Sequence, residues 1–393
     1  MTLLPTVALG DIADINPRLG DAVAGDNVVS FVGMASLDAA TGEVAAQDRQ
    51  YQDVSKGFTA FRDLDLLVAK ITPCFENGKV AQARLPHPLG FGSTEFHIIR
   101  AKDGLADARY LMHFLRQEQV RRSGEQSMTG SAGQRRVPVY FLASLLVPLP
   151  PLPEQRRIAD VLDRVEALRA KRRAALARLE TLSQSIFLDM FGDPIGNPKG
   201  WPSPELEEVM TFQQYGPRFH NRTYSPDGTR IVRITDLNEA GNLTFENMPR
   251  LPISAEDLSR YAAQPGDILF ARTGATVGKV ALIRDDDPPC IAGAYFITMR
   301  FLPEILPVYV RSVLTSSGVR QLIARRSRQA AQQNFSGPAL RRLPIPVPPL
   351  RIQERFVRIV TVLDRVKARH QASLTHLDSL FESIQHRAFR GEL

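Results

Sequence analysis

The chain is predicted to be an α+β protein of two tandem domains, related by a pseudo-twofold axis and joined by two long antiparallel coiled-coil helices. Three observations predict this. Residues about 200 positions apart match in type and order along the chain, a period too long for a solenoid unit and right for a domain with its connector. Each half carries a proline-dense segment at the same place. Each proline segment is followed by a long stretch with an apolar residue every seventh position.

The repeat is legible residue by residue. Asp65-Leu66-Leu67-Val68-Ala69-Lys70 returns as Asp267-Ile268-Leu269-Phe270-Ala271-Arg272, and Gly78-Lys79-Val80-Ala81 as Gly278-Lys279-Val280-Ala281. Glu95-Phe96-His97-Ile98-Ile99-Arg100 returns as Tyr295-Phe296-Ile297-Thr298-Met299-Arg300. A duplicated chain suits a partner that also comes in two halves.

The first globular region covers Val7 to Leu146. Its strand-like runs are Asn27–Val32, Leu64–Ile71 and Phe96–Ile99, and a helix is expected over Tyr110–Arg121. The second region repeats the order, with strands over Thr229–Ile234, Asp267–Ala271 and Phe296–Phe301 and a helix within Pro307–Arg325. Turn signals such as Pro265-Gly266-Asp267 separate the strands.

The elbows are Val147-Pro148-Leu149-Pro150-Pro151-Leu152-Pro153 and Leu343-Pro344-Ile345-Pro346-Val347-Pro348-Pro349-Leu350. Proline at this density excludes helix and strand interiors and favours a stiff extended bracket. A flexible linker would use Gly and Ser.

In the first long helix, Ile158, Val165, Arg172, Leu179 and Ile186 are seven apart, with Val161, Leu168, Ala175 and Leu182 expected between them at the three-then-four spacing. In the second, Phe356, Leu363, His370, Leu377 and Ile384 form the same series, with Ile359, Val366, Ser373 and Leu380 interleaved. Roughly ten turns at about 1.5 Å per residue give a rod on the order of 55 Å, too long to hide its stripe alone. The two are expected to pair antiparallel over Glu154–Met190 and Glu354–Ala388. Arg172 and His370 would lie near the middle, in need of carboxylate or carbonyl partners.

Composition is ordinary for a globular protein, at 44% hydrophobic and 23% charged residues. The N-terminus lacks a signal-peptide layout, and no apolar run approaches a membrane span. Two cysteines, Cys74 and Cys290, have no nearby ligand cluster, which points to a cytoplasmic protein without disulfides or zinc. A net charge of +7 is compatible with a nucleic acid or another acidic surface.

No catalytic motif is complete. Gly274-Ala275-Thr276-Val277-Gly278-Lys279-Val280 is one residue short of a phosphate-binding loop and ends in valine where a magnesium-binding hydroxyl belongs. Asp287-Pro288-Pro289-Cys290 has the outline of an adenine methyltransferase motif, but Cys290 stands where a ring must stack on a flipped base. Neither Lys79 nor Lys279 has an acidic residue two positions before it, as a nuclease centre needs. The histidines show no metal-ligand spacing. A binding protein is favoured over an enzyme.

Basic and amide-rich segments remain as candidate DNA-binding sites. One holds Gln134, Arg135 and Arg136, and its counterpart holds Arg325, Arg326, Arg328, Gln332, Gln333 and Asn334. Arg and Lys suit phosphates and guanine edges, while Gln and Asn suit adenine. A solvated basic loop is the alternative. Lys70 and Lys79, and equally Arg272 and Lys279, flank a turn after the repeated strand. That turn either enters a groove or is simply a surface turn.

Several segments resemble the specificity subunit of type I restriction–modification enzymes. They are Pro150-Pro151-Leu152-Pro153-Glu154-Gln155-Arg156-Arg157-Ile158, Phe187-Leu188-Asp189-Met190-Phe191-Gly192-Asp193-Pro194, Pro198-Lys199-Gly200-Trp201-Pro202 and the terminal Arg387-Ala388-Phe389-Arg390-Gly391-Glu392-Leu393. The second elbow departs, reading Arg351-Ile352-Gln353-Glu354-Arg355-Phe356, so that only Gln155/Gln353 and Arg157/Arg355 persist. The resemblance implies target recognition domains at 1–146 and 197–342, with elbows and spacer helices at 147–196 and 343–393. It implies that each domain reads one half of a split double-stranded DNA site and that the chain itself is not an enzyme. It further implies two methyltransferase subunits as partners, restriction subunits through them, and no cofactor on this chain. S-adenosylmethionine, ATP and Mg are expected on the partners. The competing reading is a non-catalytic protein–protein adaptor with a coiled-coil scaffold.

Overall fold

The computed structural model describes residues 4–19, 27–131, 133–219, 223–238, 241–327 and 334–393. Its contacts divide it into two compact units, Met1–Ala175 with His370–Leu393, and Leu176–Arg369. Each unit therefore takes one globular region and part of both long helices.

In the first unit the strands are β1 (Thr6–Ala8), β2 (Ala13–Ile15), β3 (Val28–Val32), β4 (Gln47–Gln50), β5 (Thr59–Arg62), β6 (Leu66–Ala69), β7 (Val80–Gln82), β8 (Leu89–Gly92), β9 (Phe96–Ala101) and β10 (Leu146–Pro148). One antiparallel sheet runs β2-β9-β6-β7, and a second runs β4-β3-β8-β5 with β3 and β8 parallel. The apolar run of β6 is buried on both faces. Leu66 and Val68 face a core with Tyr110, Leu111 and Leu142, while Leu67 and Ala69 face the second sheet through Val32 and Phe61. That two-sided burial is why the run shows no polar alternation.

The second unit repeats this plan with β11 (Met210–Tyr215), β12 (Thr229–Val232), β13 (Arg250–Leu251), β14 (Ile268–Ala271), β15 (Val280–Leu282), β16 (Cys290–Ala292) and β17 (Phe296–Phe301). Its sheets are β11-β17-β14-β15 and β13-β12-β16. Ile268 and Phe270 join the core around Tyr309, while Leu269 and Ala271 face the smaller sheet. In both units a buried aspartate opens the central strand and is paired by an arginine from its neighbour. Asp65 takes Arg100 Nε and Nη2 at 2.8 and 2.7 Å, and Asp267 takes Arg300 at 2.6 and 3.1 Å.

The expected single helix near each domain's end is two. Ala108–Leu115 is followed by Glu118–Ser127, and Pro307–Thr315 by Ser317–Ser327. Extended residues Gln117 and Ser316 break them. The first elbow is also more regular than expected. Leu146–Pro148 pairs antiparallel with Thr6–Ala8, which proline permits because a two-stranded ladder has free edges.

A buried glutamine clamps each elbow to its domain. Gln155 accepts from Asp107 N and donates to the carbonyls of Leu105 and Pro150, at 2.9, 3.1 and 2.9 Å. Gln353 accepts from Leu306 N and donates to the carbonyls of Glu304 and Pro348, at 3.0, 3.1 and 2.9 Å. The elbow tyrosines match as well, Tyr110 to the Pro148 carbonyl and Tyr309 to that of Pro346.

The long helices are Leu152–Phe191 and Leu350–Ala388. They pack antiparallel within each unit. In the first, Arg169 bonds Asp378 at 2.6 Å and Arg172 Nη1 donates to His370 Nδ1 at 3.2 Å. In the second, Lys367 bonds Glu180 at 2.9 Å and the Phe187 and Phe356 rings meet edge-on. Arg172 and His370 thus use each other where a carboxylate or carbonyl was expected.

The sevenfold series stands, with Ile158, Val165 and Phe356 buried and Arg172, Leu179, Ile186, Leu363, His370, Leu377 and Ile384 partly so. The interleaved set requires correction. Leu168, Leu182 and Leu380 are 47%, 45% and 47% exposed, whereas Val161, Ile359 and Val366 are partly covered, as most of the sevenfold series is. The buried positions lie one residue later, at Leu162, Val360, Leu374, Phe381 and Ala388. A heptad stripe alternates steps of three and four, and both orders share the same sevenfold series. The true order is obscured because Arg169 and Lys367 occupy that stripe as ion-paired residues.

Candidate nucleic-acid interface

In the first unit, the β6–β7 connection and the basic loop before the elbow come together. Val137 N donates to the Lys70 carbonyl at 2.8 Å, and Thr72 N to the Arg135 carbonyl at 3.0 Å. Arg136 and Thr129 exchange both backbone bonds, at 2.8 and 3.0 Å. Gly78 closes the hairpin at φ 72°, where a side chain is disfavoured. Lys70, Gln134, Arg135 and Arg136 are thereby gathered on one surface. Lys79 is not free for it, because its ammonium donates to the Met34 carbonyl at 2.7 Å.

Arg136 is held by Glu95, which precedes β9. Nε donates to Oε2 at 3.0 Å, Nη2 to Oε1 at 2.8 Å, and Nη1 to the Gln134 carbonyl at 3.1 Å. The Arg136 hydrogen bond keeps the Glu95 carboxyl below the ordinary glutamate range. Arg135 lies 3.8 Å from Glu76 and 4.0 Å from Glu125. Beneath the loop, burial pushes His97 down and keeps it neutral. Its Nε2–H donates to the Val137 carbonyl at 2.8 Å, and Nδ1 accepts from Asn16 at 3.2 Å.

The second unit makes the same junction with other side chains. Phe335 N donates to the Arg272 carbonyl, Arg272 N to the Tyr295 carbonyl, and Thr273 bridges Asn334. The Arg272 guanidinium stacks over Tyr215 at 4.8 Å, and its buried Nε has no hydrogen-bond partner among the described residues. The Tyr215 hydroxyl accepts from Gly337 N at 2.8 Å. Lys279 lies across the hairpin, where its carbonyl accepts from Ala271 N. Asn334 is exposed on the junction, as are Arg325 and Arg326 at the end of their helix. Arg328, Gln332 and Gln333 fall outside the described residues.

Structurally, Lys70 and Arg272 are equivalent, as are Arg136 and Asn334, and Glu95 and Tyr295. Sequence reasoning took the hairpin and the loop as separate candidates and omitted Glu95, His97, Tyr215 and Tyr295. The signal for Glu95 and Tyr295 was at hand, since each immediately precedes the repeated strand, five residues before a repeated arginine. Among the described residues no cluster of His, Cys, Asp or Glu is placed to hold a metal ion, and no helix is long and apolar enough to cross a membrane.

The chain is similar to several known proteins. It is 40% identical over 149 residues to the EcoAI specificity subunit of Escherichia coli, a match covering 37% of this chain and 25% of that one. To the EcoKI specificity subunit of Escherichia coli strain K12 it is 24% identical over 336 residues, covering 80% and 72%. It therefore spans about a quarter of the first relative and nearly three quarters of the second. The crystal structure of a type I restriction–modification S subunit from M. genitalium shares the fold, with a TM-score of 0.62 at 13% identity over 98% of this chain and 96% of that one. The type I restriction modification DNA specificity domain matches twice, at residues 6–180 and 198–376. The chain belongs to that family, the DNA specificity proteins of type I restriction–modification systems.

Proposed function

We propose that this chain is the specificity subunit of a type I restriction–modification complex, in which each globular region reads one half of a split double-stranded DNA site. The observation that carries the reading is the junction built in both units from a hairpin and a basic or amide-bearing loop. The scaffold repeats, but Arg136 in one unit stands where Asn334 stands in the other. Equal scaffolds with unequal side chains suit a site of two unlike halves. Arginine matches guanine and asparagine matches adenine. The surrounding cations Lys70, Arg135, Arg325 and Arg326 suit phosphates, which give salt-dependent affinity without sequence choice.

In this reading the paired helices set the gap between half-sites. They also carry two methyltransferase subunits, and through them the restriction subunits. S-adenosylmethionine, ATP and Mg belong to those partners, and this chain neither methylates nor cuts DNA. The complex works in the cytoplasm, where its DNA lies.

The test is a DNA shift with the chain and its methyltransferase subunits at two salt concentrations. Salt-sensitive retardation of duplex DNA, with adenine methylation once S-adenosylmethionine is added, is expected. Binding of the partner subunits without any affinity for DNA would favour the adaptor.

A further inference from the structure

We propose that Glu95 is a positioning residue, which fixes Arg136 to read a guanine in the half-site of the first recognition domain. This rests on the DNA-reading function above. The guanidinium has five N–H donors. Glu95 takes the Nε and Nη2 side, and the Gln134 carbonyl takes one Nη1 donor. What remains is one N–H on each terminal nitrogen, the number of donors that guanine O6 and N7 take together. Lacking the carboxylate, this long side chain would spread over many rotamers and lose that fixed presentation.

Three further observations support the role. First, a carboxylate on a face proposed to meet phosphates is electrostatically unfavourable by itself, and here it is engaged at both oxygens by Arg136. Second, the pair is not a requirement of the scaffold. The second unit builds the same junction with Tyr295 and Asn334 in these places, keeping the backbone bonds of Arg272 with Phe335 and Tyr295. Third, the backbone of Arg136 is tied on two sides, to Thr129 and to Ile71, so only the side chain is left to be oriented.

The experiment assembles the full chain with its methyltransferase subunits and maps methylation on a library randomised across both half-sites. Compared are wild type, Glu95→Gln, Arg136→Ala and the double variant, with thermal unfolding of each. The guanine preference at one position should fall on the order of tenfold in Glu95→Gln. Arg136→Ala should relax that same position, and the double variant should be no more relaxed than Arg136→Ala. The second half-site should stay as in wild type. Four results overturn the proposal. They are an unchanged preference in Glu95→Gln, relaxation of different positions by the two single variants, equal weakening at all sequences by Arg136→Ala, and a uniform loss in Glu95→Gln with lowered unfolding temperature. A wild-type complex without sequence preference would instead remove the DNA-reading function, and this proposal with it.

Discussion

Gln155 and Gln353 make the same three hydrogen bonds, each clamping a proline elbow onto the strand-to-helix corner of its own domain. Both are almost wholly buried. Each amide satisfies a part-buried backbone N–H, a part-buried carbonyl and the buried carbonyl of Pro150 or Pro348, and its loss leaves that buried carbonyl unpaired. Gln155→Ala and Gln353→Ala are each expected to cost about 1–3 kcal/mol or more in chemical denaturation, by similar amounts. A negligible effect at one site would show that its elbow is held by other contacts.

The buried Asp267–Arg300 pair predicts a larger loss. Breaking such a pair by removing one partner costs roughly 3–5 kcal/mol, and the partial exposure of Arg300 places Asp267→Ala toward the lower end. Replacing Asp65, whose partner is equally placed, should do the same to the first unit.

Asp163 gives a pH dependence. Burial works against its charge, but the His113 hydrogen bond at 2.8 Å and the nearby Arg109 outweigh it, so the carboxyl lies below its ordinary 3.8. A depressed carboxylate contributes stability that is present above the unfolded value and lost as pH falls through the folded one. Asp163→Asn should therefore cost about 1–3 kcal/mol at neutral pH, and the gap to wild type should close only below pH 3.8. A gap independent of pH would assign the effect to packing.

The helix seam separates two leucines of similar sequence context. Leu162→Ala removes a buried side chain and should cost about 2–5 kcal/mol, whereas Leu168→Ala should stay within about 0.5 kcal/mol in the isolated chain. Denaturant midpoints of the two variants check this.

These particulars show what could be read from the chain alone. The duplication, the central strands at Leu66 and Ile268, the elbows and the sevenfold series were legible because each rests on local composition or period. The interleaved stripe was misplaced at Leu168, Leu182 and Leu380 because the true seam carries Arg169 and Lys367, whose pairings across the helices, with Asp378 and Glu180, are long-range and leave no local mark. The junction of hairpin and loop escaped for the same reason. Ile71 meets Arg136 only through the fold, and Glu95 earns its place only once that bridge exists.

The central claim is that two equal scaffolds read two unlike half-sites. Methylation mapping on a randomised site library tests it most directly, with Arg135 and Arg136 changed to alanine in one complex and Asn334 changed to alanine in another. The account predicts that the first complex relaxes only the half-site of the first domain and the second complex only the other, each lost bidentate contact weakening its position by about 1–3 kcal/mol. If changes in one domain altered the base preference of the opposite half-site, the two-reader account would be contradicted.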